Sequence, residues 1–155
     1  MLSTDFVAES NHIEGIKRPP FATEVAEFER FMNLDEVTMH DLIQFVSVYQ
    51  PNAVLRNRKG LDVRVGNHIA PPGGPDISRE LDLIVTLANM RRHSAWDIHV
   101  KYETLHPFTD GNGRSGRMLW AWMVGWDWAL SLGFLHRFYY QTLDASRYMR
   151  VSSED

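Results

Sequence analysis

The sequence HPFTDGNGRSGR, residues 106–117, combines one histidine, one acid, three glycines and two arginines directly before the apolar run MLWAWMVGW. Its glycines predict a loop that leaves the end of one helix and enters the start of another. The first turn of a helix has unpaired N–H groups and a partial positive charge. The stretch therefore predicts an anion-binding turn between two helices.

Two residue types in this turn suit phosphate groups. Glycines let the backbone approach a ligand closely, and they stand at Gly111, Gly113 and Gly116. Arginine side chains hold phosphate oxygens with forked donors, which Arg114 and Arg117 can supply. The net charge of −4 gives the chain no general attraction for nucleic acid or anionic membrane, so any phosphate binding must be local.

Asp110 and His106 add reactive chemistry to the turn. Asp110 is a hard oxygen ligand suited to Mg²⁺, and His106 can accept a proton near neutral pH, as a general base toward a hydroxyl.

The simpler alternative is a glycine-rich interhelical turn with solvated arginines. Two other motifs fit less well. The G-x-G-x-x-G at 111–116 has no βαβ unit around it, and a calcium loop would place Arg114 and Ala121 at ligand positions.

The rest of the chain predicts one domain. Its 155 residues, 44% of them hydrophobic, suffice for a single core, and the absence of cysteine excludes disulfides and thiolate metal sites. The first residues show no signal-peptide pattern, so we expect a cytoplasmic protein. The apolar segment 118–135 has Asp127 near its centre and Gly125 as a break, which favours a buried helix and a second helix over a membrane span.

Helical patterns cover most of the remaining sequence. Capping signals and apolar spacing predict helices over 5–14, from Thr23, from Thr38, from Ser78 and from Ser94, the last one reaching the turn. The segment 97–105 also alternates like a strand, but the cap at Ser94 favours a helix. After the turn we expect a tryptophan-rich helix and a final helix over 132–149.

One segment departs from the helical pattern. Between Leu55 and Ile69, Lys59-Gly60 is a turn signal, and apolar residues then alternate with charged ones from 61 to 65. The proline- and glycine-rich run at 71–75 closes the segment. The sequence thus predicts an all-α domain with one small β-hairpin.

The stretch HPFTDGNGRSGR resembles the signature of the Fic family, H-P-F-x-[D/E]-G-N-G-R-x-x-R. Every specified position is filled, by His106, Pro107, Phe108, Asp110, Gly111, Asn112, Gly113, Arg114 and Arg117. The family's fold is a helical bundle in which this motif joins two central helices and a β-hairpin flap precedes them. The resemblance therefore implies a Fic-type helical bundle with a small β-hairpin flap. We assign residues 1–18 to an inhibitory helix segment and 19–155 to the Fic core, within one compact domain.

The resemblance implies a protein adenylyltransferase, which moves AMP from ATP to a serine, threonine or tyrosine hydroxyl of a target protein. In that scheme His106 takes the hydroxyl proton and Asp110 holds Mg²⁺. The nucleotide-binding residues would be Gly111, Asn112, Gly113, Arg114, Gly116 and Arg117. Tyr139 and Tyr140 are candidates for walls of the adenine pocket. The partners implied are ATP and a target protein, with no direct nucleic acid and no membrane, and a homodimer stays open.

A second motif lies near the N-terminus. ESNHIEGI, residues 9–16, resembles the family's inhibitory helix, [S/T]-x-x-x-E-[G/N], with Ser10, Glu14 and Gly15 at the specified positions. Their spacing of four puts Ser10 and Glu14 on one helix face. In the family this glutamate pairs with the second arginine of the motif, here Arg117, in the place of the γ-phosphate. The resemblance implies an autoinhibited enzyme that needs no separate antitoxin subunit.

The hairpin has two interpretations. It is either a packed structural element or a flap whose edge strand pairs with the target segment, through Arg58, Val63, Arg64, Val65 and His68. Other functions also stay open for the whole chain: transfer of UMP or phosphocholine, removal of AMP, or a catalytically idle nucleotide-binding module.

Overall fold

Helices make up most of the structure, a computed structural model that describes residues 2–131. Helices α1 to α3 come first, a two-stranded antiparallel sheet follows, and α4 to α7 complete this part of the chain. The bounds are α1 Ser3–Ile13, α2 Ala22–Met32, α3 Met39–Tyr49, β1 Arg64–Val65, β2 His68–Ile69, α4 Pro75–Met90, α5 Ala95–Leu105, α6 Asn112–Val124 and α7 Trp126–Ser131. The predicted all-α bundle with a small hairpin is confirmed. The helix predicted over 132–149, with Tyr139 and Tyr140, lies outside the described residues.

Helix α6 lies at the centre of the bundle. It packs against α5 and also contacts α1, α2, α3 and α7. The apolar stripes predicted for α3 and α4 are buried, and they consist of Leu42, Phe45, Val46, Tyr49, Leu81, Ile84, Val85 and Ala88. Burying one large apolar side chain contributes about 1.5–3 kcal/mol. These stripes therefore hold the outer helices firmly around α6 and the turn that precedes it.

The capping box predicted at Thr38 has both of its hydrogen bonds, and the one predicted at Ser94 has the bond to the hydroxyl. The Thr38 hydroxyl accepts a hydrogen bond from the backbone N–H of Asp41 at 3.2 Å, and the Asp41 carboxylate accepts one from the N–H of Thr38 at 2.9 Å. The Ser94 hydroxyl accepts from the N–H of Asp97 at 3.0 Å. The segment 97–105 is therefore a helix and not a strand, although its residues alternate as in a strand.

Three predicted helix starts were wrong by a few residues, and the first is that of α1, which begins at Ser3 and not at residue 5. Helix α2 has Phe21 and not Thr23 as its cap, because the Glu24 carboxylate accepts the Phe21 N–H at 2.8 Å and so closes the first turn earlier. Helix α4 begins at Pro75, three residues before Ser78. Proline is well suited to a first helical position because the N–H it lacks would have no partner there.

The hairpin is also displaced from its predicted position. Its two strands pair Val65 with His68, so the connecting turn is Gly66-Asn67 and not Lys59-Gly60. Gly66 has a φ of 58°, as tight two-residue hairpin turns require. Residues around Lys59 form a separate bend, in which the N–H of Leu61 donates to the Arg58 carbonyl at 3.3 Å.

The long apolar segment after residue 117 is broken as predicted. Helix α6 ends before Gly125, which has a φ of 90° and whose N–H donates to the Ala121 carbonyl at 2.9 Å. Helix α7 begins at the next residue. Within residues 2–131, none of the helices has both the length and the apolar character needed to cross a bilayer.

Candidate active site

His106 lies at the C-terminus of α5 in a left-handed conformation, with φ 50° and ψ 65°. Its side chain is nearly buried, at 8% exposure, and ring atom Nδ1 lies 2.7 Å from the carbonyl oxygen of Glu103. A carbonyl only accepts hydrogen bonds, so Nδ1 must carry the proton. In the neutral ring Nε2 then carries the lone pair, which is the tautomer that a general base needs.

The loop after His106 is fixed by Phe108 and Asn112. Phe108 is buried in the core, and the Asn112 amide accepts its N–H at 2.9 Å and donates to its carbonyl at 2.8 Å. Asn112 is among the nucleotide-binding residues that the family resemblance implies. The structure commits its side chain to the loop, so its contribution to an anion site is its backbone N–H at the start of α6.

The N-terminus of α6 lies at the place where the sequence predicts an anion site. Gly111 is its cap, with a φ of 78° that favours glycine, and the first N–H groups of the helix follow at Asn112 and Gly113. Asp110 is exposed beside them, and its Oδ1 accepts the Gly111 N–H at 2.8 Å. Among the described residues no cluster of three metal-binding side chains exists. One carboxylate fits Mg²⁺, which commonly takes its other oxygens from substrate phosphates and water.

The other glycines of the motif have different surroundings. A Cβ at Gly113 would collide with Glu14 Oε1 and lie 3.1 Å from Arg117 Nη1. Gly116, by contrast, is buried against α5, where a Cβ would meet Glu103 and lie 3.0 Å from Tyr102 Cδ1. The nucleotide-binding role expected for Gly116 stays a prediction, and the structure places this glycine against α5. Its small size is needed where the two central helices touch.

Helix α1 binds the second arginine of the turn. Arg117 is 2% exposed, and its Nη2 donates to Glu14 Oε1 at 2.8 Å, while the Glu14 side chain is 40% exposed. Arg117 also donates from Nε to the Ser10 hydroxyl at 2.9 Å and from Nη2 to the Ser10 carbonyl at 3.0 Å. Gly15, with a φ of 76°, turns the chain away directly after Glu14. The ion pair between Glu14 and Arg117, which the family resemblance implies, is present.

A family model for the Fic/DOC family matches residues 35–124, more than half of the chain. The chain belongs to the Fic/DOC family. The matched region runs from α3 to the end of α6 and contains the whole Fic motif, but neither α1 nor α2. No curated protein matches the chain. The contacts of α1 with the Fic motif are thus known from the structure and not from the family match.

The first arginine of the Fic motif is held as well, which the sequence did not reveal. Arg114 Nη1 donates to Asn11 Oδ1 at 3.2 Å, and Nη2 donates to the Tyr49 carbonyl at 3.1 Å and to Gln50 Oε1 at 2.8 Å. Burial lowers the pKa of Arg114, and the carboxylate of Glu14 opposes that shift. Helix α1 therefore contacts both arginines of the Fic motif.

Asn11 connects the Fic motif to a buried carboxylate on α2. Its amide nitrogen donates to both oxygens of Glu24 at 3.4 Å, and Arg18 binds the same carboxylate at 2.9 and 3.2 Å. Although burial raises the pKa of Glu24, the hydrogen bonds from Arg18 and Phe21 outweigh it and hold that pKa below its ordinary value. Asn11 lies four residues after buried Val7 and therefore on the same helix face. A polar residue on that apolar face is the sequence signal that could have indicated its role.

The hairpin of this Fic protein lies beside His106. His68 Nε2 is 2.9 Å from the Thr104 carbonyl, and the rings of His68 and His106 are 6.3 Å apart. The other flap residues from the sequence prediction are exposed or half-buried around the hairpin and the preceding bend, and they are Arg58, Val63, Arg64 and Val65.

Proposed function

We propose that this protein is an adenylyltransferase that moves AMP from ATP to a serine, threonine or tyrosine hydroxyl of a target protein, and that α1 inhibits it. The observation that carries the proposal is the position of His106, whose Nδ1 is fixed by the Glu103 carbonyl at 2.7 Å, next to the N-terminus of α6. Membership of the Fic/DOC family supports transferase chemistry.

Each group of the motif has its own role in the proposed reaction. His106 Nε2 accepts the hydroxyl proton while the hydroxyl oxygen forms a bond to the α-phosphorus. The bond from that phosphorus to the bridging oxygen breaks, and pyrophosphate leaves with the electron pair. N–H groups at the start of α6 stabilise charge on the α-phosphate. Asp110 would hold Mg²⁺, which supplies charge neutralisation between the phosphates.

The two arginines suit the outer phosphates, and this is where α1 acts. Arg117 would hold the γ-phosphate and Arg114 the β-phosphate, but their donors already bind Ser10, Glu14 and Asn11. A triphosphate in the productive orientation must displace these contacts. We therefore expect the unaltered chain to transfer AMP only slowly.

Intact-mass spectrometry of the Glu14→Gly protein, incubated with Mg²⁺ and ATP, tests the reaction. A gain of one AMP that disappears when His106→Ala is added supports the proposal. A gain of UMP when UTP is offered instead, with none from ATP, supports transfer of another nucleotide. ATP binding without any covalent gain or pyrophosphate release contradicts transferase activity and favours an idle nucleotide-binding module.

A further inference from the structure

Arg56 is a fully buried arginine that the motif does not include. Its exposure is 0%, and its side chain donates four hydrogen bonds, all of them to backbone carbonyls. Nε binds the His106 carbonyl at 2.6 Å and Nη2 binds the Leu105 carbonyl at 2.8 Å. Nη1 binds the carbonyls of Leu61 at 3.0 Å and Pro71 at 2.8 Å.

A buried charge needs compensation from its surroundings. Two of the carbonyls that Arg56 binds end helix α5, where the helix dipole is negative and stabilises a cation. Burial lowers the pKa of Arg56, and the carboxylate of Asp62 opposes that shift. A guanidinium has five donors in a rigid fork, whereas a lysine ammonium is a single point on a flexible stem. Lysine could not bind the end of α5 and the hairpin segment at once.

The backbone of Arg56 holds the same place from a second direction. Its N–H donates to the Pro107 carbonyl at 2.9 Å, and its carbonyl accepts the Gly74 N–H at 2.9 Å. The side chain of Arg56 thus binds the His106 carbonyl, and its backbone N–H binds the Pro107 carbonyl. A histidine with a φ of 50° persists only where its surroundings hold it there.

The same guanidinium fixes the segment that carries the flap. Leu61 and Pro71 stand on either side of β1 and β2, so one side chain joins both ends of the hairpin segment to the C-terminus of α5. His68, within that segment, contacts the Thr104 carbonyl of α5. The flap and His106 are therefore fixed relative to one another through Arg56.

We propose that Arg56 is a positioning residue, which orients His106 and sets the flap relative to it; this inference rests on the proposed AMP transfer. Arg56 acts through His106, because the four hydrogen bonds of its side chain go to backbone carbonyls at the end of α5 and beside the hairpin. Its loss should therefore slow the chemical step and leave ATP binding unchanged.

The test compares Arg56→Lys and Arg56→Gln with their parent, the Glu14→Gly protein. We expect the maximal rate of self-modification at saturating ATP to fall by roughly 10- to 100-fold, since displacing a catalytic group by about 1 Å has effects of that size. The ATP concentration at half-maximal rate should not change. Arg79→Lys, on an exposed arginine of α4, is the matched control and should leave both quantities unchanged.

Nitrogen-15 NMR of the histidine rings gives a readout that does not depend on activity. In the parent we expect His106 with Nδ1 protonated, and in both Arg56 variants a mixture of tautomers. If Glu14→Gly gives no adduct, the proposed AMP transfer fails while the NMR comparison still decides the role of Arg56. Parental rate and parental tautomer in a folded variant would overturn the inference. Loss of folding in both variants, by circular dichroism, would also overturn it, because Arg56 would then serve the whole fold.

Discussion

Replacing Glu14 by glycine should strengthen ATP binding by removing one competitor for Arg117. The two side chains are 2.8 Å apart, with Arg117 2% and Glu14 40% exposed. Displacing one partner of a buried, hydrogen-bonded charge pair costs about 2–5 kcal/mol. Solvent around Glu14 places this pair at the low end of that range. A cost of about 2 kcal/mol corresponds to roughly a 30-fold change in Kd.

Isothermal titration calorimetry with MgATP and MgADP measures this effect directly. We expect Glu14→Gly to lower the Kd for ATP by roughly 30-fold and to change the Kd for ADP much less, because ADP has no γ-phosphate to place at Arg117. Glu14→Gln keeps the shape of the side chain and loses its charge. Its Kd for ATP should lie between those of the unaltered protein and of Glu14→Gly. The matched control is Glu36→Gly, an exposed glutamate in the loop between α2 and α3. Equal gains for ATP and ADP, or an unchanged Kd for ATP, would refute the reasoning.

Three further changes test other parts of the site. Asn11→Ala should tighten ATP binding less than Glu14→Gly does, because Arg114 keeps two other acceptors; an effect as large would contradict this in the same titration. Gly116→Ala should destabilise the fold by about 1–3 kcal/mol, since its Cβ would press on Tyr102; an unchanged Tm would count against the close helix contact. The pKa of Glu24 is lowered from 4.5, so its stabilisation is present above that pH and is lost as pH falls below it. The free energy of unfolding in urea should therefore fall less steeply with acid in Glu24→Gln than in the unaltered protein. Identical pH profiles of the two proteins would exclude this role.

Local signals were sufficient for much of the fold. The caps at Thr38 and Ser94 each depend on residues three positions apart, so the sequence shows both partners. The break at Gly125 needs only one residue that adopts a positive φ. The pairing of Ser10 and Glu14 on one face likewise follows from helix geometry alone.

The missed starts of α2 and α4 have local causes, whereas other features depend on distant parts of the chain. The bend near Lys59 looks like a hairpin turn locally, but the Arg56 side chain binds Leu61 and ties this segment to α5, so the strands form later. Gly116 has the residue type of a ligand-facing glycine, and only the packing against α5 assigns it to the core. Asn11 and Arg114 are 103 residues apart, a distance across which no spacing rule operates.

Under the proposed inhibition, the aromatic contact between α1 and α2 determines how that inhibition can be relieved. Phe6 stacks on Phe28 at 4.9 Å and Val7 is buried, so the helix is fastened to α2 independently of its polar contacts. A competitor attached to the same chain has a fixed effective concentration, which dilution does not reduce. Because one helix contacts both Arg114 and Arg117, detaching that helix as a unit removes its contacts with the two arginines together, while Arg114 keeps its bonds to Tyr49 and Gln50. Release of α1 is therefore all-or-none for each molecule. The activity of a population would rise with the fraction of molecules whose α1 is detached, and not through a gradual weakening of the inhibition in every molecule.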